Sequence, residues 1–323
     1  MVERWKPTCD LKLLHSRAQM LAIIRSFFQQ RSVLEVETPL LCHATGTDPQ
    51  LDFFSSDSIQ NQPMFLQTSP EFAMKRLLAA GSGSIYQICK AFRKGESGRF
   101  HNPEFSILEW YRVGFSLYQL MDEVTELLNE VLPGICPLNT ANKISYVELF
   151  TQVTGLNPLQ FCQKSYSSYV TKNALGDAIS LCGNDHAMWL DFIFSHKVQT
   201  TLNNQALCLV FGYPAIQSSL ARLNKENPAI ADRFEVFING IEIGNGFFEL
   251  ADVKEQEIRF DKENVSRKTK GLVQVKKDQL FLDALRSGLP DCSGIALGLD
   301  RLLMIMTSSK SLNNVLTFPF ERA

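Results

Sequence analysis

The sequence predicts an α+β fold, an antiparallel β-sheet flanked by helices. Three observations carry that expectation. Strand-like runs come in pairs joined by short turns, with Asn239-Gly240 the strongest hairpin signal. Runs at helical spacing lie around those pairs. The regular strand–helix alternation of a doubly wound parallel sheet is not the pattern here.

Leu13, Leu14, Arg17, Ala18, Leu21, Ile24, Phe27 and Phe28 recur at helical spacing, apolar but for Arg17, and predict a helix over about 13–31. A short β-rich run at 33–39 follows and Pro39 stops it. Residues 55–63 are polar and read as a loop. A strand near 64–68 leads into a helix with Ser69 as N-cap and Pro70 as the first helical residue, running on through Leu77 and Leu78. Strands near 85–93 and 104–113 are joined by a polar, glycine-bearing loop. A second amphipathic helix covers 116–132, and residues 133–200 read as mostly helical. Strands resume near 207–211 and 234–250. A charged helix spans 251–270, and a strand at 294–298 enters a helix at 300–307.

Of 323 residues, 45% are hydrophobic and 20% charged, which is the composition of a chain with a large core. No apolar run is long enough to cross a bilayer, and the opening MVERWKPTCDLK lacks the apolar stretch of a secretory leader. Eight cysteines are scattered with no C-x-x-C pair, and the five histidines do not cluster with them. That argues against a zinc site or a disulfide framework and for reduced thiols in a cytoplasm. A formal net charge of −2 weighs against a long nucleic-acid contact.

The chemistry concentrates in two segments. On a strand over 104–113, Phe105, Ile107, Glu109 and Tyr111 share one face. An aromatic ring, a carboxylate and a phenol together suit a binding floor; a half-buried hairpin whose Glu109 and Tyr111 meet water is the plainer alternative. Arg93, ending the preceding strand, can reach a phosphate from the same end of the hairpin. In the second segment, Gly294 to Arg301, a strand enters a helix with Arg301 in its first turn. A cation there opposes the helix dipole at a cost of a few tenths to about one kcal/mol, which an anionic partner would remove. Surface pairing with Asp300 is the alternative.

These segments resemble motifs 2 and 3 of the class II aminoacyl-tRNA synthetases, at about 85–113 and 293–307. The first helix with Leu34-Glu-Val-Glu-Thr-Pro39 resembles motif 1, at about 13–39, which builds the dimer interface in that family. The likeness implies one catalytic domain over 1–323 and a homodimer. Within the class, the run from Phe234 to Leu250 is similar to the lysyl branch. The resemblance implies ATP and Mg²⁺ as cofactors. Arg93 would hold the α-phosphate, His101 and Arg301 the outer phosphates, and Phe105 would stack on adenine. Gly95, Glu96, Asn102, Ile243 and Gly298 would complete the nucleotide site, with Arg93 and Arg301 as the catalytic cations. Glu242 with Glu249 would hold Mg²⁺. Glu109, Tyr111 and Glu249 would receive the substrate's distal ammonium, and Glu71 its backbone-side amine, a plain helix-dipole acid being the alternative for Glu71. Ser69, Asn245, Phe247 and Ala296 would complete the amino-acid pocket. Glu242 and Glu249 stand seven apart, on opposite faces of an ideal strand; a bulge or twist at Gly244 and Gly246 would bring both to one site.

About a dozen residues precede the first helix, too few for the anticodon-binding domain of a lysyl-tRNA synthetase. Ala44-Thr-Gly-Thr-Asp48 also differs from those enzymes, and so does Ala296, where they have glycine. The chain thus resembles the stand-alone lysyl-synthetase paralogues that attach β-lysine to a lysine of elongation factor P. That resemblance implies elongation factor P as acceptor, lysine or β-lysine as substrate, and neither tRNA nor membrane as partner. The Ala296 methyl would narrow the pocket floor and favour an amine on the β carbon. Two positions depart from the pattern: Gly95 stands where motif 2 has a glutamate, with Glu96 one residue later, and Phe248 stands where such paralogues have a histidine. Two further readings are a minimal enzyme charging tRNA or another amine, and an inactive synthetase-like regulatory module.

Overall fold

The computed structural model describes residues 5–59, 62–133 and 141–323. The first four residues, the tip of the 55–63 segment and the opening of the 133–200 region lie outside the described residues. Helix α1 (Leu11–Gln30) begins at Asp10, whose carboxylate accepts the Lys12 N–H. Short strands β1 (Leu34–Glu35) and β2 (Leu41–Cys42) follow, then β3 (Ser55–Ile59) and β4 (Gln62–Leu66). The last three form a small sheet in the order β2-β4-β3. The loop expected at 55–63 is therefore largely strand. Serines that favour a turn in isolation are held here by pairing with β4, Ser55 opposite Phe65 and Ser56 opposite Met64. In α2 (Glu71–Ala79) Pro70 takes the N-cap place, one residue later than expected, while Ser69 Oγ still accepts the Glu71 N–H at 3.1 Å.

Strands β5 (Ile85–Phe92) and β6 (Glu104–Val113) lead to α3 (Leu117–Val131), which opens with a Ser116–Gln119 capping box. Then come β7 (Asn142–Ser145), α4 (Tyr146–Thr154), α5 (Gln163–Lys172), α6 (Ala178–Cys182) and α7 (His186–Ile193). Strands β8 (Cys208–Pro214), β9 (Ile230–Ile238) and β10 (Ile241–Phe248) precede α8 (Val253–Thr269), α9 (Gln279–Gly288), β11 (Cys292–Gly298) and α10 (Leu299–Met306). Asn239 and Gly240 have φ of 48° and 73°, the left-handed pair that the β9–β10 hairpin requires. Besides β2, one strand and one helix are additional to the sequence expectation. Strand β7 is short and gains its place by parallel pairing with β8. Helix α9 starts at Asp278, which accepts the Phe281 N–H, and buries Phe281, Leu282 and Leu285.

The main sheet runs β1-β5-β6-β11-β10-β9-β8-β7. Its interior pairs are antiparallel, as expected; only the end pairs, β1–β5 and β7–β8, are parallel. One face carries Leu108, Trp110, Ile295, Leu297, Phe234 and Val236 into a core with α1, α3 and α10. On the other face helices cover the two ends, and Leu220, Ala221 and Leu223 pack on Phe247 between them. Helices α2, α8 and α9 pack over Ile85 and Tyr111. Helices α4 to α7 pack over Val210 and Phe237. Between them a strip of sheet is left as a floor.

Asp300 locks the floor to the core side. Its carboxylate accepts the Ser106 N–H at 2.7 Å and binds Arg17 Nη2 at 2.5 Å, joining α10, β6 and α1, and it is 2% exposed. The charge on Asp300 matters because Arg17 would otherwise be left unpaired. Asp300→Asn is expected to lower the unfolding free energy by about 2–3 kcal/mol, read from the urea midpoint at constant slope. An unchanged midpoint would show that the tie is dispensable.

Candidate active site

Strand register brings the floor residues into rows. Glu109 lies opposite Ala296, Ala296 opposite Asn245, and Asn245 opposite Glu235. The next row is Tyr111, Gly294, Phe247 and Arg233. Five residues singled out in the sequence thus meet on one surface, and the water-facing alternative for Glu109 and Tyr111 falls, since both are buried. Gly294 makes the row possible: a Cβ there would stand 2.3 Å from Tyr111 Cδ1 and 2.7 Å from Glu249 Oε1.

At one end of the floor acids gather. Ser69 Oγ donates to Glu109 Oε1 at 2.6 Å and the Tyr111 hydroxyl donates to Glu109 Oε2 at 3.2 Å. Burial pushes the Glu109 carboxyl up to about 8, and the charge of Glu71 adds to the rise. Burial, and then the Glu109 charge, holds the Tyr111 phenol well above its ordinary range. Lys75, on α2, enters this cluster. Its Nζ lies 2.5 Å from Glu71 Oε1 and 2.7 Å from Glu249 Oε2, with no exposure. Burial alone would lower Lys75, but Glu249 and Glu71 outweigh it and keep the ammonium charged. Sequence reasoning passed over Lys75; the signal was a lysine four residues after Glu71, flanked by the buried Met74 and Leu78.

At the other end cations gather. Arg301 donates from Nη1 to the Glu242 carbonyl at 2.8 Å and from Nε to the Phe100 carbonyl at 3.1 Å, and its Nη2 meets His101 Nε2 at 2.9 Å. Its neighbour Asp300 is committed elsewhere, so the surface-pair alternative fails. Burial, and then the Arg301 charge, lowers the His101 imidazole. The Arg93 guanidinium stands over the Phe105 ring at 5.0 Å, with Nη1 3.6 Å from Glu96. Its buried Nε has no hydrogen-bond partner among the described residues. Gly95 has φ of 81°, a turn that glycine adopts without strain, and the turn delivers Glu96 to Arg93. Asn102 braces the loop: it donates to the Glu104 carbonyl at 2.6 Å and accepts the Phe320 N–H at 3.1 Å. Gly298 caps α10 beside the Ile243 carbonyl, while the Ile243 side chain is buried in the core. Phe248 also points coreward, under the Arg222 guanidinium, so its departure from the family pattern does not touch the floor.

The expected bulge is present. Register shifts between Glu242 and Gly244, which sets Glu242 opposite Phe237 and on the floor side with Asn245 and Phe247. Gly246 faces the core, where a Cβ would meet the Phe234 ring at 2.5 Å. Sharing an ion between Glu242 and Glu249 is not borne out. About six strand steps at ~3.3 Å separate them by roughly 20 Å, and Glu249 is held by Lys75. The carboxylate beside Glu242 is Glu235, whose carboxyl is raised by burial, against the pull of Arg233, with the Glu242 charge adding. Glu235 was hidden in a run that reads as buried strand; the alternation Arg233, Glu235, Phe237 was its signal. Among the described residues no three metal-ligating side chains cluster. Glu242, 3.8 Å from Arg301, and Glu235, which accepts from Arg233 and the Tyr213 hydroxyl, suit a Mg²⁺ completed by phosphate oxygens, not a closed protein cage.

The model for class II tRNA synthetases (D, K and N) matches residues 9–322. A Vibrio atlanticus protein named elongation factor P–(R)-β-lysine ligase is 44% identical over 328 residues, covering 100% of both chains. Proteins of the same name from Vibrio vulnificus, 44% identical over 99% of each chain, and from Buchnera aphidicola, 42% identical over 100% of each, also match. On the floor, the two charged ends and this full-length match, the chain belongs to the class II tRNA synthetase (D, K and N) family.

Proposed function

We propose that this chain is a ligase that uses ATP to activate (R)-β-lysine as an adenylate and transfers it to the ε-amine of a lysine in elongation factor P. The observation that carries the reading is the separation of the floor into an acid end and an arginine end, with Ala296 and Asn245 between them. A diamino acid fits that layout. Its distal ammonium meets the Glu109 carboxyl and the Tyr111 hydroxyl, with the Lys75-paired Glu249 beside them, and its carboxylate points towards Arg93 and Arg301. Glu71 and Ser69 stand at the N-terminus of α2 for the backbone-side amine. The Ala296 methyl lies in the row between Glu109 and Asn245, where it shortens the space over the floor.

In the first step the substrate carboxylate oxygen bonds to the α-phosphorus and the bond to pyrophosphate breaks. Arg93 and Arg301 hold the phosphate charge as it redistributes, and the unpartnered Arg93 Nε is free to meet a phosphate oxygen. Glu235 and Glu242 would hold Mg²⁺, which supplies charge neutralisation of the phosphates. In the second step a neutral amine attacks the adenylate carbonyl, the carbon–nitrogen bond forms, and AMP leaves with the electron pair of the broken carbon–oxygen bond. A homodimer through α1 and β1, in the cytoplasm, completes the reading. β1 ends the sheet and exposes Leu34. Among the described residues no helix is long and apolar enough to cross a membrane.

Incubation with ATP, (R)-β-lysine and elongation factor P is expected to add one lysyl mass to a lysine of that protein, and no lysine to tRNA in a parallel reaction. Charged tRNA with unmodified elongation factor P would overturn the reading. The raised Glu109 carboxyl sets the pH dependence. An entering ammonium favours the ionised form, so the KM for the amino acid is expected to fall as pH rises through about 8, while the ammonium itself is still charged. Because the folded pKa exceeds the unfolded one, the same group makes the unliganded protein less stable over that rise, from about 4.5 towards 8. Glu109→Gln should raise the KM by at least about tenfold at alkaline pH and flatten the profile. An unchanged slope in that variant would assign the titration elsewhere.

A further inference from the structure

A second cavity, of 540 Å³, opens between helices α4 to α7 and the β8–β9 side of the sheet. Its floor is aromatic. The Tyr146 ring lies 5.0 Å from Phe194 and 4.7 Å from Tyr213, and Phe237 is buried beside them. Its charged lining is mainly acidic: Asp191 at the exposed mouth, where it accepts from the Gln50 and Gln217 amides, and at the inner end, beside Asn245, Glu235 and Glu242, the carboxylates assigned to Mg²⁺ above, with Lys270 also on the lining. Arg233 lines it too but is committed, donating to Glu235 Oε1 at 2.6 Å, the Gln217 carbonyl at 2.6 Å and Asn245 Oδ1 at 3.1 Å. Two buried atoms on the lining, the Tyr146 hydroxyl and Gln217 Oε1, have no hydrogen-bond partner among the described residues. Leaving both unpaired is costly, so a ligand with N–H groups is favoured there.

The cavity's place decides what it takes. It lies beyond Glu242 from Phe105, across the strand order β6-β11-β10-β9-β8, so it is not the adenine site. It is also not the amino-acid pocket, whose acids are Glu109 and Glu249. Yet its wall reaches the middle of the floor and its arginine end. Arg233 binds Asn245, and the Glu242 carbonyl accepts from Arg301. Its inner end therefore abuts the place between Asn245 and Glu242 where a reacting carbonyl would sit.

Resting on the function proposed above, we infer that this cavity is the entry for the acceptor's lysine side chain, a primary alkylammonium. The rings face its methylene chain and attract its charge. Asp191 meets the ammonium at the mouth, and Tyr146 and Gln217 accept its N–H groups further in. The ammonium gives one proton to solvent through the mouth before the neutral amine reaches the carbonyl. The second proton leaves to water as the amide forms and AMP departs.

Ser195 is exposed on the lining, so Ser195→Trp narrows the passage without touching the floor. With the full chain, ATP, (R)-β-lysine and elongation factor P, this variant should keep ATP–pyrophosphate exchange within about twofold of wild type, and lose at least about tenfold in kcat/KM for the acceptor. Asp191→Asn should raise the KM for the acceptor at unchanged kcat. Wild-type transfer in both variants would overturn the inference while leaving the functional reading intact. Equal loss of exchange and transfer would assign the cavity to activation and also overturn it. A wild-type protein that exchanges but never modifies elongation factor P would overturn the functional reading, and the inference with it.

Discussion

Lys75 places a full charge where water does not reach, and the substrate end of the floor is built around that charge. An ammonium taken out of water costs several kcal/mol unless opposite charges meet it at close range. Glu71 and Glu249 do so from two different elements, at 2.5 Å and 2.7 Å. The arrangement fixes α2 against the end of β10. It also settles which acid is left over. Glu109 has hydroxyl partners instead of a cation, so burial keeps it protonated near neutral pH. The pocket therefore holds one spare carboxyl in a low-dielectric site, and a second ammonium is what would ionise it. Gly294 makes this density of polar groups possible by letting the Tyr111 ring and the Glu249 carboxylate occupy the space of a side chain.

The opposite end depends on backbone parity. Without the bulge after Glu242, that side chain would point into the core with Gly244 and Gly246. With it, Glu242 reaches the floor beside Glu235, and its carbonyl receives Arg301. The core face beside the bulge then carries Val236, Ile238 and Ile243, and the glycines on it leave room for Phe234 and Ile295. One irregular residue pair thus keeps acids on one side of the sheet and hydrocarbon on the other.

Much of this was legible in the sequence because it follows period-two alternation. Phe105 to Tyr111 announce their face, and the glycines between Glu242 and Glu249 announce the bulge. What alternation cannot give is distance along a strand, which is why Glu249 was paired with the wrong acid. Glu235 sits in a run, Phe234 to Ile238, whose apolar neighbours mask it. Lys75 reads as the polar side of a helix until α2 is seen buried against α9 and the sheet. β3 has no apolar alternation of its own and exists through its partner. The family resemblance supplied the roles; the structure supplied their grouping into two ends and the cavity behind Glu242.

The central claim is that this floor activates a lysine isomer and that the Ala296 methyl helps to choose it. ATP–pyrophosphate exchange, run with (R)-β-lysine and α-lysine on the wild type and on Ala296→Gly, tests it most directly. The account predicts exchange that favours (R)-β-lysine in the wild type and a preference reduced by about tenfold in the variant. No exchange with either isomer, or a preference that the variant leaves unchanged, would contradict it.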